Sequence, residues 1–264
     1  MQRSVSAQMI ITIQSPILLI LSAAVADSIA LVSEEIAFEH EGNEIAGTEL
    51  RDSNGTRLHT FNVEAGTMTI DYRAVTTGLA QPAPTSELDL LMYRRQSRYA
   101  QSDELLPIAR SEFEGLRGVE LIQAVESWVN AKLRYVPGFG RQTDGAVHTL
   151  ITRRGVCRDF AHLVIGLLRA LDVPARMVSV YAPGLSPMDF HAVVEAYSDG
   201  VWYLIDATRL APRQSFVRIA TGRDAADIAF LSNYNGRLRL GKLEVMATTD
   251  EFITDDYAGL VTLR

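Results

Sequence analysis

The sequence predicts an α+β chain. A β-rich, sandwich-like N-terminal domain covers residues 1–90, and a second domain covers 91–264, where helical runs are followed by strands. Three observations predict this. Before residue 80, short β-branched runs alternate with turn signals and no clean helical stripe occurs. QPAPTS (81–86) is a breaker-rich linker at which that pattern stops. Beyond it, helical runs lead to two strands joined through Asp199-Gly200, a strong hairpin signal.

The elements follow in order. MIITIQ (9–14) and ILLILSA (17–23) read as short strands around a bend at Ser15-Pro16. ILLILSAAVA (17–26) also has the composition of a signal-peptide core, and that alternative makes the chain exported. Against it, Arg3 is the one positive side chain ahead of the segment, glutamines and Pro16 interrupt the approach, and the apolar stretch is far short of the roughly 20 residues that span a bilayer. Strands and a cytoplasmic location are therefore expected. Residues 28–38 mix apolar and polar positions, and Asp52-Ser53-Asn54-Gly55 is a turn. Residues 58–63 and 67–75 are strands on either side of Glu64-Ala65-Gly66. Such short strands with frequent turns suggest a sandwich.

In the second domain, residues 118–133 carry Leu121, Ile122, Val125, Trp128 and Val129 on one helical face, ended by Val136-Pro137-Gly138. A short helix is expected over 146–152. The clearest helix runs over 157–171, where Phe160, Ala161, Val164, Ile165, Leu167, Leu168 and Leu171 form a broad apolar face that Val173-Pro174 terminates. Strands are expected over 176–181, 191–197 and 201–206, with a Pro- and Gly-rich loop at 182–189. After Asp206 the pattern gives loops, a short helix near 224–230 and a final strand around 242–247.

Composition narrows the function. Hydrophobic residues make up 47% of the 264, enough for a substantial core. A net charge of -7 argues against nucleic acid or an anionic membrane as partner. The single cysteine, Cys157, excludes an internal disulfide and any multi-cysteine zinc site. No calcium-loop pattern of the EF-hand kind occurs, and no metal or cofactor is expected.

Cys157 lies in RRGVCRDFAHL (153–163), at the expected first turn of a helix. Free N–H groups and the helix dipole favour an anion there, which lowers a thiol's pKa and makes it a nucleophile. Gly155 permits a tight approach to that terminus. The bland alternative is a packed small hydrophobe. A nucleophilic cysteine needs a base, so the five histidines decide. His40 and His59 belong to the β-rich half. His148 carries no distinguishing signal. His162 is five residues after Cys157, about 500° around the helix, and points to another face. His191 opens a strand. If Asp199-Gly200 is a two-residue turn, Ser198 pairs with Val201, Glu195 with Leu204 and Val193 with Asp206. His191 and Asp206 then share a face as diagonal neighbours. A carboxylate there fixes the tautomer and orientation of the imidazole.

GVCRDFAHL, LLRALDVPARMVSVY, HAVVEAY and VWYLIDAT resemble, in that order, the transglutaminase-like superfamily, and more narrowly its bacterial cysteine-protease branch. YRRQSRYAQSDEL (93–105) and RIATGRDAADIAFL (218–231) resemble flanking segments of that branch, so the likeness covers nearly the whole chain. It implies a papain-like transglutaminase core, with Cys157 as nucleophile, His191 as general acid/base and Asp206 orienting it. The implied chemistry is acyl transfer on peptide or protein amides through a thioester. Hydrolysis is expected, with glutamine crosslinking or deamidation as alternatives. Many relatives carry an aromatic two residues after the histidine; Val193 stands here instead, a departure that bears on the substrate channel.

The remaining polar residues have structural readings. Arg158 and Asp159 suit helix-start electrostatics, and Arg223, Asp224 and Asp227 a polar network at another helix start. Trp202 shares the His191 face by parity but fits a core position, and Arg98-Tyr99 suits a junction between the domains. Two other function classes compete: a catalytically silent peptide-binding module of the same fold, and a β-sandwich scaffold joined to an unrelated α/β domain. The intact Cys, His and Asp weigh against the binding module, and separated triad residues would support the scaffold. Substrate identity and oligomeric state are not written in these residues.

Overall fold

The computed structural model describes residues 1–82 and 85–264; of the linker expected at 81–86, Ala83 and Pro84 lie outside the described residues. Seven strands come first: β1 (Gln2–Ile13), β2 (Ile17–Leu21), β3 (Ala30–His40), β4 (Asn43–Glu44), β5 (Thr48–Arg51), β6 (Arg57–Val63) and β7 (Gly66–Thr77). Then follow α1 (Glu87–Met92), α2 (Ser102–Glu112), α3 (Gly118–Lys132), β8 (Arg134–Tyr135), α4 (Ala146–Thr152), β9 (Arg154–Gly155) and α5 (Cys157–Ala170). The chain continues through β10 (Ala175–Tyr181), β11 (Phe190–Ser198), β12 (Val201–Ile205), β13 (Val217–Gly222), α6 (Ala225–Ile228), β14 (Leu231–Tyr234) and β15 (Leu238–Thr249).

β1 starts seven residues earlier than MIITIQ suggests, because Val5 and Ala7 extend the alternation that buries Met9, Ile11 and Ile13. It is an inner strand of the sheet β15-β1-β7-β3-β4. β2 lies in a second sheet, β14-β2-β6-β5. The two sheets face each other across an apolar interior, with Phe38 of β3 edge-on to Phe61 of β6 at 4.7 Å. Glu64-Ala65 therefore carries the chain from one sheet to the other. β14 and β15 hydrogen-bond to β2 and β1, so these sheets are completed by residues 231–249, from the far side of the expected boundary at 90/91.

The remaining sheet, β12-β11-β10-β13, carries the candidate site. α5 lies between this sheet and helices α2, α3 and α4, and is buried almost all round. Its one cation in this core, Arg169, donates to the carbonyls of Ala175, Arg95 and Arg223. β13 falls where loops are expected. Its segment RIATG is wholly buried, and its arginine reads as a surface residue until its partner is known. That partner is Glu195 of β11, which receives Arg218 at 2.6 Å and Arg176 at 2.8 Å. Burial works against the Glu195 charge, and the two guanidiniums overcome it, holding the carboxyl below its ordinary range.

The C-terminal segment covers the free edge of β12. Leu204 N–H donates to Val261 at 2.7 Å, Leu263 is buried, and Asp255 holds the buried Arg213. Among the described residues, no helix is long and apolar enough to cross a membrane.

Candidate active site

Cys157 is the first residue of α5 and is half-buried. Its position is fixed from two sides. β8 and β9 pair in parallel, setting Tyr135 opposite Gly155, two residues before the thiol. Asp159, one turn into the helix, accepts the Val156 N–H at 2.9 Å and so caps the helix start. Gly155 is required by this close packing, because a Cβ there would meet the Asp159 Cβ at 2.5 Å. Arg158 pairs with the other Asp159 oxygen at 2.9 Å and bonds to the Arg141 carbonyl. Arg158 and Asp159 thus do helix-start electrostatics, with Asp159 buried rather than at the surface. The N–H groups of Cys157 and Arg158 precede the first acceptor of the helix and lie at its start with the thiol, whereas the Asp159 N–H donates to the Val156 carbonyl at 2.9 Å.

The hairpin has the register that the turn implies. Asp199 and Gly200 adopt φ of 51° and 84°, the left-handed pair of a two-residue turn. Ser198 pairs with Val201, Tyr197 with Trp202, and Glu195 with Leu204. Asp206 follows the last paired residue, and its Oδ2 lies 2.8 Å from His191 Nε2. Both side chains are buried. Holding Nε2 leaves Nδ1 as the nitrogen open to the thiol. The His191 ring is also edge-on to buried Phe216 at 5.7 Å.

The electrostatics follow from this packing. Burial lowers the proton affinity of His191. The Asp206 charge and hydrogen bond, helped by the Cys157 thiol, outweigh it and push the pKa up to about 10. Burial favours a neutral Asp206, while His191 and the Thr208 donors hold the carboxyl below its ordinary value. A cationic imidazole locked to a buried carboxylate beside a thiol can stabilise a thiolate and deliver a proton to a leaving group.

Two residues join the site that the sequence reading did not select. Thr208 donates its N–H and its hydroxyl to Asp206 Oδ1, at 3.0 and 2.6 Å. Its signal was legible: Asp-x-Thr is a short polar turn in which side chain and backbone bond locally. Tyr135 is the other. Burial first, then the nearby Cys157, Asp189 and Asp206, raise its phenol to about 12, so it stays a donor. Its signal is tertiary, since only the pairing of β8 with β9 brings it to the cysteine.

The other histidines lie elsewhere. His162 is fully buried, stacked on Tyr99, and its Nε2 accepts the Ala225 N–H. His148 of α4 lies 3.5 Å from Asp144, which precedes the helix, and His40 and His59 belong to β3 and β6. Trp202 is core: it packs on Arg176 at 4.1 Å and donates to Thr85. Asp224 caps α6 and accepts the Tyr99 N–H, and Arg223 pairs with Asp227. Tyr99 is half-buried and stacks on His162 of α5. Among the described residues, no group of three His, Cys, Asp or Glu side chains is placed to hold a metal ion.

The transglutaminase-like superfamily model matches residues 112–207, which contain Cys157, His191 and Asp206. A crystal structure named "Putative Cysteine Protease from Cytophaga hutchinsonii" is 31% identical, covers 98% of this chain and 96% of its own, and superposes with a TM-score of 0.86. An uncharacterized protein of Mycobacterium leprae (strain TN) is 31% identical over 129 residues, which span 44% of this chain and 45% of that relative. The chain therefore spans less than half the length of the curated relative that it matches.

Proposed function

This chain belongs to the transglutaminase-like superfamily, and we propose that it is a cysteine-dependent acyl-transfer enzyme that hydrolyses peptide or protein amides. One observation carries the reading: the buried 2.8 Å contact between His191 Nε2 and Asp206, which leaves the other imidazole nitrogen for the thiol at the start of α5.

In the proposed reaction, the Cys157 thiolate attacks the amide carbonyl and forms the C–S bond. The Cys157 N–H and the Tyr135 hydroxyl receive the developing oxyanion. His191 gives its proton to the amine as the C–N bond breaks, leaving a thioester. The now neutral imidazole draws a proton from water, which attacks the thioester and releases the acid. Asp206 keeps the ring oriented and compensates the imidazolium charge. The substrate class is peptide or protein. Hydrolysis is favoured over crosslinking because the full-length structural relative carries a protease name.

A cytoplasmic location goes with this reading. It is supported by how residues 17–26 are used: Ile17, Leu19, Leu21 and Ala23 to Ala26 are all buried, and Tyr181 donates to the Ala23 carbonyl. A cut after Ala26 would remove β1 and β2 from their sheets.

The test is the rate of Cys157 alkylation by iodoacetamide across pH, in the wild type and in His191→Ala. Rapid alkylation far below the free-thiol pKa of about 8.5, lost in His191→Ala, supports the pair. Peptide products are then read by mass, where cleavage, deamidation and crosslinking differ. A thiol that reacts like free cysteine in both proteins sinks the proposal.

A further inference from the structure

Asp189 is a charged residue close in sequence to His191 that the proposed chemistry does not use. Asp189 ends the loop at 182–189 and stands two residues before His191. In extended chain those two side chains leave on the same face. Phe190, between them, leaves on the other, where it packs on Tyr181 at 5.5 Å and Phe230 at 5.0 Å. That packing fixes the direction of both neighbours. His191 is buried and Asp189 is exposed, so on that face the carboxylate lies on the solvent side of the imidazole. The Tyr135 phenol lies within electrostatic reach of Cys157, Asp189 and Asp206 alike.

This carboxylate is also without a cationic partner. Its Oδ1 accepts the Phe190 N–H at 2.7 Å. Among the described residues no lysine or arginine pairs with it, and His191 is the one cation that bears on it. Partial burial of the carboxyl group itself raises its proton affinity, offset in part by that N–H and by His191, although the residue as a whole stays exposed. By contrast Asp144, just before α4, and Asp159, in α5, are each paired with an arginine, Arg141 and Arg158. An unpaired carboxylate on the solvent side of the imidazole attracts positive charge, and does so most strongly at low ionic strength.

We propose that Asp189 selects substrates carrying a basic side chain, lysine or arginine, next to the amide that Cys157 attacks. This deepens the thiol reading and rests on it. The residue acts on substrate charge, so its effect is separable from reactivity of the thiol itself.

The experiment uses three small thiol reagents on the full chain at low ionic strength: cationic bromoethylamine, neutral iodoacetamide and anionic iodoacetate. Second-order rates at Cys157 are measured in the wild type, Asp189→Asn and Asp189→Ala. Asparagine keeps the acceptor for the Phe190 N–H, so the loop stays anchored. The ratio of cationic to anionic rates is read within each protein, where any change common to all reagents cancels. We expect that ratio to fall by about 3- to 10-fold in both variants, and the wild-type ratio to shrink as salt is added. A ratio unchanged in both variants overturns the inference while leaving the thiol chemistry intact. If iodoacetamide alkylates Cys157 no faster than a free thiol, the thiol reading fails and this inference falls with it.

Discussion

His191 Nε2 lies 2.8 Å from Asp206 Oδ2, with each side chain 1% exposed. So dry a contact makes the carboxylate the main reason that His191 holds its proton to about pH 10. Asp206→Asn keeps the shape and removes the charge. Proton affinity of the imidazole then falls, and the alkaline limb of the kcat/KM profile moves to lower pH. The amide also favours the wrong tautomer, so kcat is expected to drop by about 10²- to 10⁴-fold. The check is a pH–rate profile on a cleaved peptide. An alkaline limb that stays in place would mean that Asp206 does not set the His191 charge.

Thr208 holds the far oxygen of Asp206 through its hydroxyl and its own N–H. Thr208→Val deletes one of these donors inside the core, while Thr208→Ser restores it. A hydrogen bond to a buried charge contributes about 1.5–3 kcal/mol, and Thr208→Val is expected to lose that much stability in denaturant unfolding. A less tightly held carboxylate also lets the imidazole reorient. The alkaline limb of the pH profile should therefore shift in Thr208→Val and return in Thr208→Ser, which loss of packing alone does not produce.

Two buried histidines load the protein with opposite pH dependence. Burial drives His162 down to about 3, against a weaker pull from Asp224. The unfolded chain takes up that proton near pH 6.5, so the His162 contribution is complete above 6.5 and is lost as pH falls. His191 is raised to about 10, so its contribution is complete below 6.5 and is lost as pH rises toward 10. The slope is about 1.4 kcal/mol per pH unit for one proton. His162→Gln should lose about 2 kcal/mol less than wild type between pH 6.5 and pH 5. His191→Gln should flatten the decline between pH 7 and pH 9. Equal slopes in wild type and variants, measured by denaturant midpoints, would contradict this.

What the sequence made legible was local. Asp199-Gly200 allows a two-residue turn, and the side-chain period of two then carries Asp206 to His191 without any tertiary knowledge. The Cys157 helix was legible because apolar residues fill most of its circumference. What stayed hidden depends on distant partners. The arginine in β13 looks solvent-facing until Glu195 is found beside it. The helix α2 carries Pro107 inside its span, which argues against a helix on local rules. β14 and β15 pair with strands more than 200 residues earlier, and such pairing leaves no mark on neighbouring residues. Tyr135 and Asp189 share this property, since pairing with Gly155 brings the one to the cysteine and the facing of Phe190 sets the other on the His191 side.

Tyr135 gives the last prediction. β8 has only two residues, and its pairing with β9 sets the phenol beside the cysteine while the ring rests 6.1 Å from Phe160. With its proton held to about pH 12, the hydroxyl is a donor at every working pH. A donor aimed at a developing oxyanion contributes in the transition state and not to the resting thiol. Tyr135→Phe keeps the ring packing and removes the donor. We expect kcat on a peptide amide to fall by about 10- to 10³-fold, with KM little changed. Alkylation by iodoacetamide, which forms no oxyanion at a carbonyl, should slow by less than about 3-fold. If amide turnover and alkylation fall together, Tyr135 acts on the thiol itself, and the oxyanion role is wrong.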